Sequence, residues 1–110
     1  MNIRQTTGAT MGQVLEKPST YIARSHADLA VRMRPARLNR DRLRQHGYGE
    51  AAIRTLESGV AISYVERGTP ADCTVVELPD GTRYLERGTW LSDEQAWRIE
   101  RVSELPRAPR

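Results

Sequence analysis

The chain has 110 residues, seventeen basic and fourteen acidic, with one cysteine, no phenylalanine and a net charge of +3. That length suits one domain with a modest aliphatic core and leaves no room for a cofactor fold beside a deep substrate cleft. The lone Cys73 excludes an internal disulfide, and no apolar run is long enough to span a bilayer, so we expect a soluble, cytoplasmic protein without membrane contact. The charge is uneven: residues 1–54 hold ten basic against four acidic side chains, and residues 55–110 hold seven against ten. This predicts a basic layer from the first half and an acidic sheet layer from the second. Sixteen of the basic residues are arginine, whose planar fork suits phosphate and carboxylate; a GC-rich genome gives the same bias without any function.

Met1–Thr20 holds four threonines, two glycines, Pro18 and Ser19 and shows no sustained apolar period, which predicts a loose arm over 1–20 that orders on a partner. Its first fifteen residues lack any acid. In composition this resembles the export segments of type III secreted effectors, and the resemblance implies secretion into a host cell as the alternative to a cytoplasmic location. Ser25, with Asp28 three residues on, then reads as a helix start, with Ile22, Leu29, Ala30 and Met33 as an inward stripe before Pro35. His26 has no second histidine or cysteine at metal spacing and reads as a surface residue. Asn39 caps a second helix through His46, with Leu43 inward and Arg40, Arg42 and Arg44 mostly outward. Gly47-Tyr48-Gly49 interrupts it. A third helix over Glu50–Ser58 uses Ala52, Ile53 and Leu56 as its apolar stripe and Gly59 as its terminating glycine.

Two short helices joined through a glycine turn form a helix-turn-helix. The segment Gly47-Tyr48-Gly49-Glu50-Ala51-Ala52-Ile53-Arg54-Thr55-Leu56-Glu57-Ser58-Gly59 resembles the turn and third helix of phage Cro/CI-type repressors. The match covers about an eighth of the chain. The resemblance implies that Glu50, Ala51, Arg54 and Thr55 face the DNA major groove while Arg40, Arg42 and Arg44 approach phosphates. Arg32 and Arg37 extend the same basic stretch.

From Gly59 to Leu91 the pattern turns to strands. Val60–Arg67 and Cys73–Leu78 alternate, and Pro79-Asp80-Gly81 supplies a tight turn, so Leu78 and Thr82 should begin paired strands. The phrase Tyr-(Val/Leu)-Glu-Arg-Gly-Thr occurs at 64–69 and at 84–89, and Gly68 and Gly88 read as two strand ends where the chain turns. Arg67 and Arg87 within it are either a solvated edge or a paired anion clamp. Asp72, Glu77, Asp80 and Glu86 read as cross-strand partners of Arg83 and Arg87, Cys73 as a buried hydrophobe, and the 60–67 edge as a seam for a homodimer. Ser92-Asp93-Glu94-Gln95 has the form of a capping box, and Ala96, Ile99 and Val102 recur every third residue, which predicts a final helix packed on the sheet and a tail over 106–110. Trp90 and Trp97 are either core or an interface hot spot.

These readings give an α+β fold: short N-terminal helices, a small antiparallel sheet with a Pro-Asp-Gly hairpin, and a C-terminal helix, in one domain over 21–105. No phosphate loop, metal spacing or acid-base pair stands out, so neither catalysis nor a cofactor or metal is expected. Two functions remain open. One is a nucleic-acid-binding regulator using Arg32, Arg37, Arg40, Arg42, Arg44, Glu50, Arg54 and Thr55. The other is an interaction module or inhibitor that meets an acidic protein through Arg67, Arg87, Trp90 and Trp97.

Overall fold

In the computed structural model, Pro79-Asp80-Gly81 closes a hairpin as its chemistry requires. Leu78 N donates to Thr82 O at 2.8 Å, Asp80 Oδ1 accepts from Thr82 N at 2.9 Å, and Gly81 takes a φ of 94°. The structure describes residues 14–15, 19–25 and 31–110. Within them the elements run β1 (Val14–Leu15), β2 (Thr20–Ala23), β3 (Arg32–Met33), α1 (Arg40–Gln45), α2 (Glu50–Glu57), β4 (Ile62–Tyr64), β5 (Cys73–Glu77), β6 (Arg83–Leu91) and β7 (Ala96–Leu105). The main sheet has the order β2-β7-β6-β5-β4 and is antiparallel throughout, while β1 pairs with β3 alone.

The fold is sheet-dominated, which corrects the expected α+β architecture at both ends. No C-terminal helix forms: Ser92–Gln95 is a hairpin loop, with Gln95 at φ 51° and its side-chain Nε2 donating to Ser92 O at 2.7 Å. Ala96–Leu105 then runs back along β6 as a ten-residue strand, in register Trp90↔Trp97 and Leu91↔Ala96. The every-third-residue pattern has another cause. Ala96 and Ile99 are buried on opposite faces of the sheet, and Val102 is the extra residue of a bulge opposite Leu85/Glu86. Trp97, Ile99 and Val102 also favour a pleated surface over a helix.

The stripe assigned to the first expected helix is strand at its two described ends. Ile22 lies in β2, which pairs with β7 through Tyr21↔Ile99, and Met33 lies in β3. His26–Ala30, the centre of that expectation, lies outside the described residues, as does most of the arm. Val14–Leu15 and Thr20 of the arm belong to strands.

The two helices stand where their caps put them. Asn39 Oδ1 accepts from Arg42 N at 3.1 Å. Both helices end in the same paired motif around a left-handed glycine. Tyr48 N reaches Leu43 O at 3.1 Å and Gly47 N reaches Arg44 O at 3.0 Å; Val60 N reaches Thr55 O at 3.1 Å and Gly59 N reaches Leu56 O at 3.0 Å. Leu43, Ile53 and Leu56 are fully buried, and α2 packs beside β4. On one face of the sheet Val76, Leu78 and Tyr84 form a core with Val31, Met33 and Ala61. On the other, Tyr48 reaches Glu77 from the helix side. The 31–33 segment also crosses the start of the β4 edge, with Ala61 N donating to Val31 O at 3.0 Å and a bridge between Arg32 and Val60.

Candidate functional site

Of the arginines expected at a nucleic-acid face, three are drawn into one ion network between α1 and α2. Arg40 grips Glu57 with two bonds, Nε to Oε2 at 2.9 Å and Nη2 to Oε1 at 2.8 Å, and reaches Glu50 through Nη1 at 2.8 Å. Arg44 and Arg54 also converge on Glu50, each at 3.3 Å, and Arg44 meets Asp41 at 3.3 Å. The bidentate fork is the strong member; the 3.3 Å contacts are exposed and weak. Glu50 therefore organises the helix pair, and Thr55 Oγ1 bonds back to Ala51 O at 2.9 Å. Arg32, Arg37 and Arg42 are exposed and, with Arg34, carry no ion pair among the described residues.

The Arg40 fork holds Glu57, and the Arg40 and Arg44 guanidiniums hold Glu50, below the usual carboxylate range. Their share of stability is complete above that range and is lost as pH falls through the lowered folded-state values. We expect Arg40→Ala to lower the melting temperature more than Arg44→Ala or Arg54→Ala, and to reduce the dependence of melting on acid pH. Thermal melts of the three variants at neutral and acid pH check this.

The alternative site residues have unlike settings. Arg87 is engaged by Asp72 at 2.7 Å and by Glu100 at 3.7 Å, whereas Arg67 is exposed in the loop after β4. Of the two repeated glycines only Gly68 turns the chain, at φ 88°. Gly88 lies within β6, where a Cβ would touch Trp97 and Ile99 at 3.4 Å. Cys73 is buried, and burial, with Asp72 beside it, pushes its thiol pKa up, away from reactivity. Trp90 and Trp97 pair across β6 and β7 edge to face, 5.2 Å between centroids, yet remain 46% and 45% exposed.

A second locus goes beyond the cross-strand ion pairing expected of Glu77 and Arg83. Glu77, wholly buried on β5, accepts from Tyr48 Oη at 2.7 Å, Tyr64 Oη at 2.7 Å and Arg110 Nη2 at 2.7 Å. Arg83, its expected partner, instead contacts Tyr64 Oη at 3.2 Å, Glu66 at 3.0 Å and Pro106 O at 2.8 Å. The sequence signal was a carboxylate inside the apolar run Val75-Val76-Glu77-Leu78. Beside this hub lies an open groove of about 610 Å³, lined in part by His46, Tyr48, Tyr64, Arg83, Arg107 and Pro109. Burial pushes the Tyr64 hydroxyl up to about 12, with Arg83 opposing and Glu77 adding to the shift, and burial raises Tyr48 too.

A tyrosine whose folded pKa exceeds the unfolded value of 10.0 contributes fully below that pH, and its contribution is lost as pH rises toward about 12. Stability should therefore fall between these limits, and Tyr64→Phe should flatten the fall. Denaturant midpoints measured across alkaline pH test this.

Among the described residues no group of three or more His, Cys, Asp or Glu is placed to hold a metal ion, and no helix is long and apolar enough to cross a membrane. No family model, curated protein or solved structure matches the chain.

Proposed function

We propose that the protein is a non-enzymatic interaction module that engages an acidic partner protein through the Trp90–Trp97 tip of the β6–β7 hairpin. The observation that carries this is the exposure of both tryptophans in a chain that has no phenylalanine and that, among its described residues, leaves only two other large hydrophobic side chains exposed, Val65 and Val102. Half-exposed tryptophans at a hairpin tip are the kind of anchor that dominates protein interfaces, offering a large rigid area at low entropic cost. The net charge of +3 and the exposed arginines favour an acidic partner.

A nucleic-acid-binding regulator is the second reading. Exposed Arg32, Arg34, Arg37 and Arg42 favour it, whereas the carboxylates that engage Arg40, Arg44 and Arg54 weigh against it. Each bound carboxylate would have to be released, or its charge overcome, before that arginine neutralised a phosphate.

One pair of measurements separates the two. Trp90→Ala and Trp97→Ala should each cost on the order of 1 kcal/mol of stability and abolish capture of a partner that the Arg42→Ala variant retains. Anisotropy of a labelled random duplex should show no micromolar binding at low salt. Tight binding that weakens steeply with salt and vanishes in an Arg37→Ala/Arg42→Ala variant would overturn the proposal in favour of the regulator.

A further inference from the structure

At the opposite end of β6 from the tryptophans, the segment Pro106–Arg110 lies across the Pro79–Gly81 turn and fills a pocket built for a guanidinium. Arg110 donates from Nη2 to Glu77 Oε2 at 2.7 Å and to Leu78 O at 2.8 Å. Its Nε reaches Pro79 O at 2.9 Å, and its Nη1 reaches Pro109 O, within the segment itself, at 2.6 Å. The Tyr48 ring stands 5.9 Å from its Cζ. Glu77 is 0% exposed and Leu78 2%, so both atoms that receive Nη2 belong to buried residues. A buried carboxylate, fixed backbone carbonyls and an aromatic wall together match the planar fork of arginine. An ammonium, as a point donor, would leave part of the acceptor set unfilled.

The segment that delivers this side chain is attached sparingly. Pro106 and Pro109 have no N–H to give; the one backbone–backbone hydrogen bond of the segment to the rest of the described chain is Ala108 N to Gly81 O at 2.8 Å, and Arg83 Nε donates to Pro106 O at its base, also at 2.8 Å. Arg107 adds contacts to Asp80 O and to Thr82 Oγ1 from an exposed position. Ala108 and Pro109 also form part of the wall of the 610 Å³ groove, so lifting the segment widens it. In chemical terms 106–110 is an extended arginine-proline peptide seated on its own receptor.

We infer that the Glu77 pocket is an arginine-recognition site. It is occupied in cis by Arg110, and it accepts the arginine of an extended, proline-flanked segment of another polypeptide when 106–110 lifts away. The site is separate from the tryptophan tip, and its failure would leave the proposed function standing.

The test titrates the acetylated, amidated peptide Pro-Arg-Ala-Pro-Arg into the wild-type protein and the Arg110→Ala variant, following the Gly81 and Thr82 amide resonances. The variant should bind the peptide at least about ten-fold more tightly than the wild type, whose tethered side chain competes at high effective concentration. A peptide with lysine in place of its last arginine should bind the variant at least about ten-fold more weakly. A folded variant that ignores the arginine peptide, or binds the lysine peptide equally, overturns the inference. If Arg110→Ala does not fold, hydrogen exchange at Ala108 in the wild type decides. Agmatine should accelerate it relative to butylamine at equal ionic strength, and equal rates overturn the inference.

Discussion

Replacing Glu77 by alanine should remove about 3–5 kcal/mol of stability, because it strips the acceptor from a buried network while leaving the donors in place. Tyr48 and Tyr64 each lose a 2.7 Å bond, and the Arg110 guanidinium loses its counter-charge. The loss belongs to the stranded donors more than to the carboxylate itself. We therefore expect Glu77→Leu combined with Tyr48→Phe and Tyr64→Phe to recover most of the stability, since replacing the carboxylate and both hydroxyls together by apolar groups leaves Arg110, which is partly exposed, as the one donor of the hub that must turn to solvent. Urea unfolding of the single and triple variants decides. If the triple variant is no better than Glu77→Ala, the stranded tyrosine hydroxyls are not the source of the loss.

The second large effect is expected at Gly59. Its φ is 90°, and a Cβ there would stand 2.2 Å from the Met33 carbonyl oxygen, backbone that cannot rotate away. Met33 N donates to Gly59 O at 2.6 Å, so the clash falls on the contact that holds β3 against the end of α2. Gly59→Ala should cost about 3 kcal/mol or more, the left-handed penalty plus the steric one. Gly47 supplies the control. It ends α1 in the same motif at φ 89°, but nothing lies within 4 Å of its Cβ position. Gly47→Ala should cost only the conformational share, about 1 kcal/mol. Equal melting temperatures for the two variants would show that the β3 segment yields to the added methyl.

These two sites also mark what the sequence could reveal. Asn39, Gly47 and Gly59 act on neighbours a few residues away, so the helix ends and the Pro79–Gly81 turn were readable from local chemistry. β2 was not, because Tyr21-Ile22 becomes a strand by meeting Ile99 and Arg98 at the far end of the chain. β7 was misread because a bulge and two buried faces imitate a helical period in Ala96, Ile99 and Val102. The Glu77 hub gathers groups 29, 13 and 33 positions away, and nothing in the spacing of Tyr48, Tyr64 and Arg110 announces that they converge. The arginines of α1 and α2 were visible as residues but not as partners, since Arg40 and Glu57 meet only once the turn has folded α2 back on α1.

The bulge in β7 bears on how the chain tolerates editing. In most of a sheet, deleting one residue inverts every side chain beyond the cut. Val102 is the exception: Arg101 faces Glu86 and Ser103 faces Leu85, so these two flanking residues already hold consecutive places on the partner strand. Excising Val102 joins them without changing which face any later residue occupies. A reading frame that loses this one codon should still encode a folded protein, with a straighter hairpin, whereas loss of Arg101 or Ser103 alone obliges Val102 to take the vacant place.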